Sequence, residues 1–134
     1  MMLHRDVRGN GPPLILLHGL AGSNRWWRHN IEEFSRHFRV YALAFPEYGG
    51  MRRHGREIAV ETAANWLLKA VDRLERGQRV SLIGHSTGGL ICAMLAAMEP
   101  GRVHRMVLAA SIAQIRPPVE WPMRETRWPR SRRS

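Results

Sequence analysis

The chain has 134 residues and a formal net charge of +10 at pH 7, from 21 Lys and Arg against 11 Asp and Glu. One domain is the most this length holds, and 44% apolar residues is the share of an ordinary globular protein. The single cysteine, Cys92, excludes an intrachain disulfide and a cysteine-based metal site.

Lys69 is the only lysine, so the positive charge is almost all arginine. Genome composition explains such a skew as well as nucleic-acid binding does. Met1-Met2-Leu3-His4-Arg5-Asp6 lacks a long apolar stretch after a basic start, so it does not read as a signal peptide. No apolar run approaches the length of a membrane span. A cytoplasmic location is the expectation.

In chain order, residues 2–7 suit a short edge strand, followed by a turn at Gly9-Asn10-Gly11-Pro12-Pro13. Leu14 to Leu17 is a continuous apolar run ended by Gly19, the pattern of a parallel strand buried on both faces. Ser23 or Asn24 can cap a helix over 25–37, whose apolar face is Trp27, Ile31, Phe34 and Phe38. Residues 39–45 form the next strand and Pro46 ends it. A Gly- and Arg-rich loop, 47–56, leads to a long helix over 57–76. Its inner face carries Ile58, Ala63, Leu67, Ala70, Val71 and Leu74, and Gly77 stops it. A strand over 79–84, a helix over 87–98 and a last strand over 102–110 follow. Cys92 falls in the apolar run of that helix, which makes it a buried structural thiol. Strands alternating with helices imply right-handed βαβ units and a parallel sheet.

The chemistry sits in Gly84-His85-Ser86-Thr87-Gly88-Gly89, between the apolar strand Val80-Ser81-Leu82-Ile83 and the helix that starts at Thr87. G-x-S-x-G in that context puts a serine on a tight strand-to-helix turn with its hydroxyl exposed. The small residues at 84 and 88 let strand and helix backbones approach. The first helix amides favour negative charge, which suits a developing oxyanion. The competing reading is a serine that merely caps a helix.

Three stretches together resemble the α/β-hydrolase family: Gly11 to Gly19, Arg39 to Pro46, and Gly84 to Gly89. The resemblance covers roughly residues 2 to 112 and the first half of that fold. It implies an α/β fold: an incomplete three-layer arrangement, a parallel sheet with helices on both faces. Its strand order would be edge, 39–45, 14–18, 79–84, 102–110. By the same resemblance Ser86 attacks an acyl carbon, and the backbone N–H groups of Leu20 and Thr87 bind the oxyanion. The domain division is then 1–113 for the N-terminal half of a hydrolase domain and 114–134 for a tail. That tail has four prolines, two tryptophans and six arginines. It reads as disordered, loosely docked or the start of a lid; a chain that leaves its frame or is cut short is the alternative.

The family order places an acid and then a histidine after the serine. Here only His104, Glu99, Glu120 and Glu125 follow Ser86. His104 stands near the start of its strand, about 20 Å from Ser86 along the sheet. Glu120 follows the last strand at the right end. His85 is turned away by the elbow, and His18 corresponds to a structural residue of the family. His54, in the loop, is the remaining candidate base; His4, His29 and His37 read as surface. A nucleophile and an oxyanion hole without a recognisable base imply a weak esterase at best. No phosphate loop, metal cluster or other cofactor motif is present, so no cofactor and no metal are expected.

Three functions compete: an acyl hydrolase acting on a small-molecule ester, a non-catalytic interaction module built on the half-fold, and weak non-specific polyanion binding by the Arg-rich tail. The strand 102–110, if left unpaired, is a site for self-association.

Overall fold

A computed structural model of the chain describes residues 4–19, 22–45, 52–53, 56–57 and 59–111. Five strands form one sheet: β1 (His4–Arg8), β2 (Pro13–Leu17), β3 (Arg39–Ala44), β6 (Val80–His85) and β7 (Val103–Ala109), with β4 (Arg52–Arg53) and β5 (Arg56–Glu57) pairing as a separate short hairpin. The sheet order is β1-β3-β2-β6-β7, as the resemblance implies. Strands β3, β2, β6 and β7 are parallel, while β1 runs antiparallel to β3. Four residues, 9–12, link β1 to β2. That is too short for a crossover, so the chain must reverse. Gly9 makes the reversal at φ 78, where a Cβ would lie 2.3 Å from the Ser35 carbonyl.

Alternation along the strands sorts the core into two layers. Ile15, Leu17, Tyr41, Leu43 and Leu82 face α2 (Val60–Leu74) and α3 (Thr87–Met98), packing with Leu67, Val71, Ile91 and Leu95. Leu14, Leu16, Val40 and Ala42 face the other way, onto Trp27 and Ile31. Helices therefore cover both faces. On the second face the cover stops short: Val107 is 54% exposed and, toward α3, Leu108 is 40% exposed.

Two helices differ from the sequence expectation. The segment expected as one helix over 25–37 is a 3-10 turn, Asn24–Trp27, followed by α1 (Ile31–Ser35). Arg28 and Asn30 donate to carbonyls three residues back rather than four, which tightens the chain between them. The apolar face survives, with Trp27 and Ile31 buried and Phe34 and Phe38 packed beside them. Ser23 is the cap, accepting from the Arg25 N–H at 3.3 Å. Helix α2 starts at Val60 rather than 57, because Arg56–Glu57 belongs to the hairpin. It ends at Leu74, before Gly77 turns the chain at φ 73.

The end of α2 is fixed by charge. Glu75 is 4% exposed; its carboxylate accepts two bonds from the Arg39 guanidinium, at 2.7 and 2.9 Å, and one from the Tyr41 hydroxyl at 2.5 Å. Arg102, just before β7, donates to the Glu75 carbonyl at 3.1 Å and pairs with Asp72 at 2.7 Å. These bonds pin α2 to the starts of β3 and β7.

Candidate active site

Strand β6 ends at His85, and Ser86 stands between it and α3 with φ 53 and ψ −120. A residue with a side chain occupies that region only when its surroundings hold it there, at a cost of about 1–3 kcal/mol. The flanking glycines explain how. A Cβ on Gly84 would lie 2.4 Å from the Gly89 Cα, and one on Gly88 would lie 2.4 Å from the carbonyl oxygens of Leu17 and His18. The first turn of α3 thus rests on the ends of β6 and β2, and no side chain fits between.

The Ser86 side chain makes no capping bond to α3. The reading of this serine as a helix cap is therefore not the one its geometry follows. Its backbone is fully engaged: the N–H donates to the Ala109 carbonyl at 2.9 Å, and the carbonyl accepts from the Gly89 and Leu90 N–H groups at 3.0 and 3.3 Å. Thr87 and Gly88 open the helix, where N–H groups have no acceptor one turn back.

The loop after β2 reaches the same point. A Cβ on Gly19 would sit 3.0 Å from the Ser86 Cβ and 3.1 Å from the His85 carbonyl oxygen. His18 is fully buried beneath this loop, and its Nδ1–H donates to the Gly19 carbonyl at 2.7 Å. Burial holds the His18 pKa below its ordinary value, against the opposing pull of the Gly19 bond. It is a neutral structural residue at neutral pH, as expected.

The other sequence candidates fall as follows. His104 is exposed at the start of β7, where a bulge between the Val80–Val103 and Ser81–Arg105 pairs leaves it unmatched. It stands five positions before Ala109, whose carbonyl binds Ser86; at about 3.3 Å per residue it is out of reach. His85 packs against Trp26, ring centroids 5.3 Å apart, and its buried Nδ1 has no hydrogen-bond partner among the described residues. His29 and His37 are exposed. Cys92 is buried, and burial pushes its thiol pKa up to about 12. Leu20, His54, Glu120 and the 114–134 tail lie outside the described residues. Among the described residues no three metal-binding side chains cluster, and no helix is long and apolar enough to cross a membrane.

Two partners of the site escaped the sequence reading. Ser111 donates from Oγ to the Ser86 carbonyl at 2.9 Å, and Trp26 stands against His85. The only hint of the first was the third glycine of the motif, Gly89, whose missing Cβ would sit 1.7 Å from the Ser111 Oγ.

The family model for the alpha/beta hydrolase fold matches residues 12–129. The chain belongs to the α/β-hydrolase family. Among curated α/β-hydrolase relatives, it is 32% identical over 120 residues to pimeloyl-[acyl-carrier protein] methyl ester esterase of Nitrosomonas europaea, covering 90% of this chain and 45% of that protein. It is 38% identical over 108 residues to 2-hydroxy-6-oxo-2,4-heptadienoate hydrolase of Pseudomonas putida, covering 78% and 39%. Among solved structures, a marine microorganism esterase superposes with a TM-score of 0.71 at 30% identity, covering 79% of this chain and 40% of that one. Naproxen esterase from Bacillus subtilis does so with 0.65 at 32% identity, covering 78% and 37%. The chain thus spans less than half the length of these α/β-hydrolase relatives.

Proposed function

We propose that Ser86 is the nucleophile of a carboxylic-ester-type acyl hydrolase. The observation that carries this is the Ser86 backbone, strained at φ 53 with a side chain that caps nothing. Such strain is retained where it aims a reacting group. The esterase relatives support an ester as the substrate class.

In this reading Ser86 Oγ attacks the acyl carbon. The new C–O bond forms as the carbonyl π electrons move to oxygen, and the N–H groups of Thr87 and Leu20 stabilise that oxyanion. Solvent or an added base takes the Ser86 proton. Collapse breaks the acyl–oxygen bond of the substrate, the departing alkoxide takes a proton back to leave as the alcohol, and water hydrolyses the acyl-serine to the acid and free Ser86. No described histidine is placed to serve as that base. With nucleophile and oxyanion donors but no base among the described residues, weak catalysis, about 10³–10⁴-fold over the uncatalysed rate, is the expected scale. The test is p-nitrophenyl acetate hydrolysis by the chain and by Ser86→Ala. A Ser86-dependent rate, raised by added imidazole as an external base, supports the reading; identical rates in both proteins, with imidazole present, refute it.

A second reading is favoured by one feature. Strand β7 ends the sheet among the described residues and leaves Val107 and Leu108 exposed. Such an edge is a template for strand pairing, and self-association of the chain through it is the interaction this surface supports.

A further inference from the structure

Both peptide groups of Ser86 are tied to the end of β7 and the residues just after it. The N–H donates to the Ala109 carbonyl at 2.9 Å, and the carbonyl accepts from Ser111 Oγ at 2.9 Å. Between those two residues Ala110 turns the chain at φ 48; it and Ser86 are the non-glycine residues with positive φ among the described residues. Gly89 leaves the space the hydroxyl occupies, since a Cβ there would lie 1.7 Å from Ser111 Oγ and 2.8 Å from Ser111 Cβ. Two neighbouring strand ends, each with one strained residue, are thus locked by a side-chain hydroxyl.

We propose that Ser111 is a positioning residue that aims the Thr87 amide. The Ser86 carbonyl and the Thr87 N–H belong to one planar trans peptide and point in opposite directions. Holding the oxygen holds the N–H. The bonds from Gly89 and Leu90 come from α3 itself, so they move with the helix. The Ser111 bond comes from a different element, so it restrains the rotation of the peptide plane that the helix bonds leave open. The N–H is then kept facing away from Ser111, where an oxyanion donor has to be preorganised to be effective. This inference rests on the acyl-transfer reading for its purpose, but its geometry can be measured without catalysis.

The test compares the unmodified chain with Ser111→Ala and Ser111→Thr. Two quantities are read: the NMR resonances of the Ser86 carbonyl carbon and Thr87 amide, and the rate at which a fluorophosphonate labels Ser86 with imidazole supplied. Ser111→Ala is expected to move both resonances and to slow labelling about five- to tenfold, the scale of one hydrogen bond. Ser111→Thr, which keeps the hydroxyl, is expected to restore both. Unmoved resonances in Ser111→Ala overturn the proposal, and so do moved resonances with an unchanged labelling rate. Should Ser111→Ala fail to fold, Ser111→Cys substitutes a weak donor of similar size; intermediate shifts support the proposal and native values overturn it. A chain that takes no label at all refutes the acyl-transfer reading, and the resonances of Ser111→Ala alone then decide the positioning.

Discussion

At Ser86 a side chain is held where glycine would be more comfortable, at φ 53 and ψ −120. Replacing it with glycine removes that strain along with the hydroxyl. Ser86→Gly is expected to stabilise the chain by about 1 kcal/mol while ending any reaction at this position; chemical denaturation beside a labelling assay checks both. The opposite applies to its neighbour. Gly88→Ala would drive a methyl to 2.4 Å from the Leu17 and His18 carbonyls, which are backbone and cannot yield cheaply. A loss of about 3 kcal/mol or more in the same denaturation experiment is expected. The roles of Gly84 and Gly88 were legible in the sequence, because a strand-to-helix turn brings its own two arms together. The role of Gly89 was not. Its partner, Ser111, lies far along the chain and meets it only because β7 lies beside β6. The pairing of Ala109 with the Ser86 N–H was equally invisible, since a backbone carbonyl leaves no mark on residue choice.

At the scale of elements, the end of α2 depends on Glu75. Burial raises its pKa, but the Arg39 bonds, with help from the Tyr41 hydroxyl, outweigh that and bring it below its ordinary value. A carboxylate with a folded pKa lower than its unfolded one adds stability above the unfolded value, and that stability is lost as pH falls through the folded one. His18, lowered by burial, acts in the same sense over a higher window, beginning near its ordinary value of 6.5. Stability is therefore expected to fall in two steps on acidification, the first below pH 6.5 from His18 and the second below pH 4.5 from Glu75. Glu75→Gln is expected to remove the second step. It also costs about 2 kcal/mol at neutral pH, less than a fully buried pair because Arg39 is 33% exposed. Urea titrations across pH separate the two contributions. This network could not be read from the sequence, where Glu75 stands as one charge near a helix end. The split of the 25–37 helix also escaped, because the apolar spacing that marks it is the same whether the turns are α-helical or 3-10.

At the scale of the whole molecule, the parallel strands buried on both faces followed from continuous apolar runs, whereas the strand order came from the family resemblance, since the runs alone do not fix which strands are neighbours. The incomplete cover over β7 belongs to this scale too. Arg105 places positive charge along that edge strand, yet Val107 at 54% and Leu108 at 40% exposure remain in the open. Sedimentation velocity is expected to show concentration-dependent association, weakened in Val107→Lys, since a charge on an edge strand opposes pairing. A monomer at all concentrations would remove self-association from the account. Whatever covers this edge, the site at the carboxyl end of β6 is where Gly19, Ser86 and Ser111 meet. The most direct test of its nature is fluorophosphonate labelling of the purified protein with imidazole present, followed by peptide mapping, beside Ser86→Ala. One adduct per chain, on Ser86 and lost in Ser86→Ala, is the predicted result. An unlabelled chain, or an adduct elsewhere, would contradict Ser86 as the nucleophile of an acyl-transfer site.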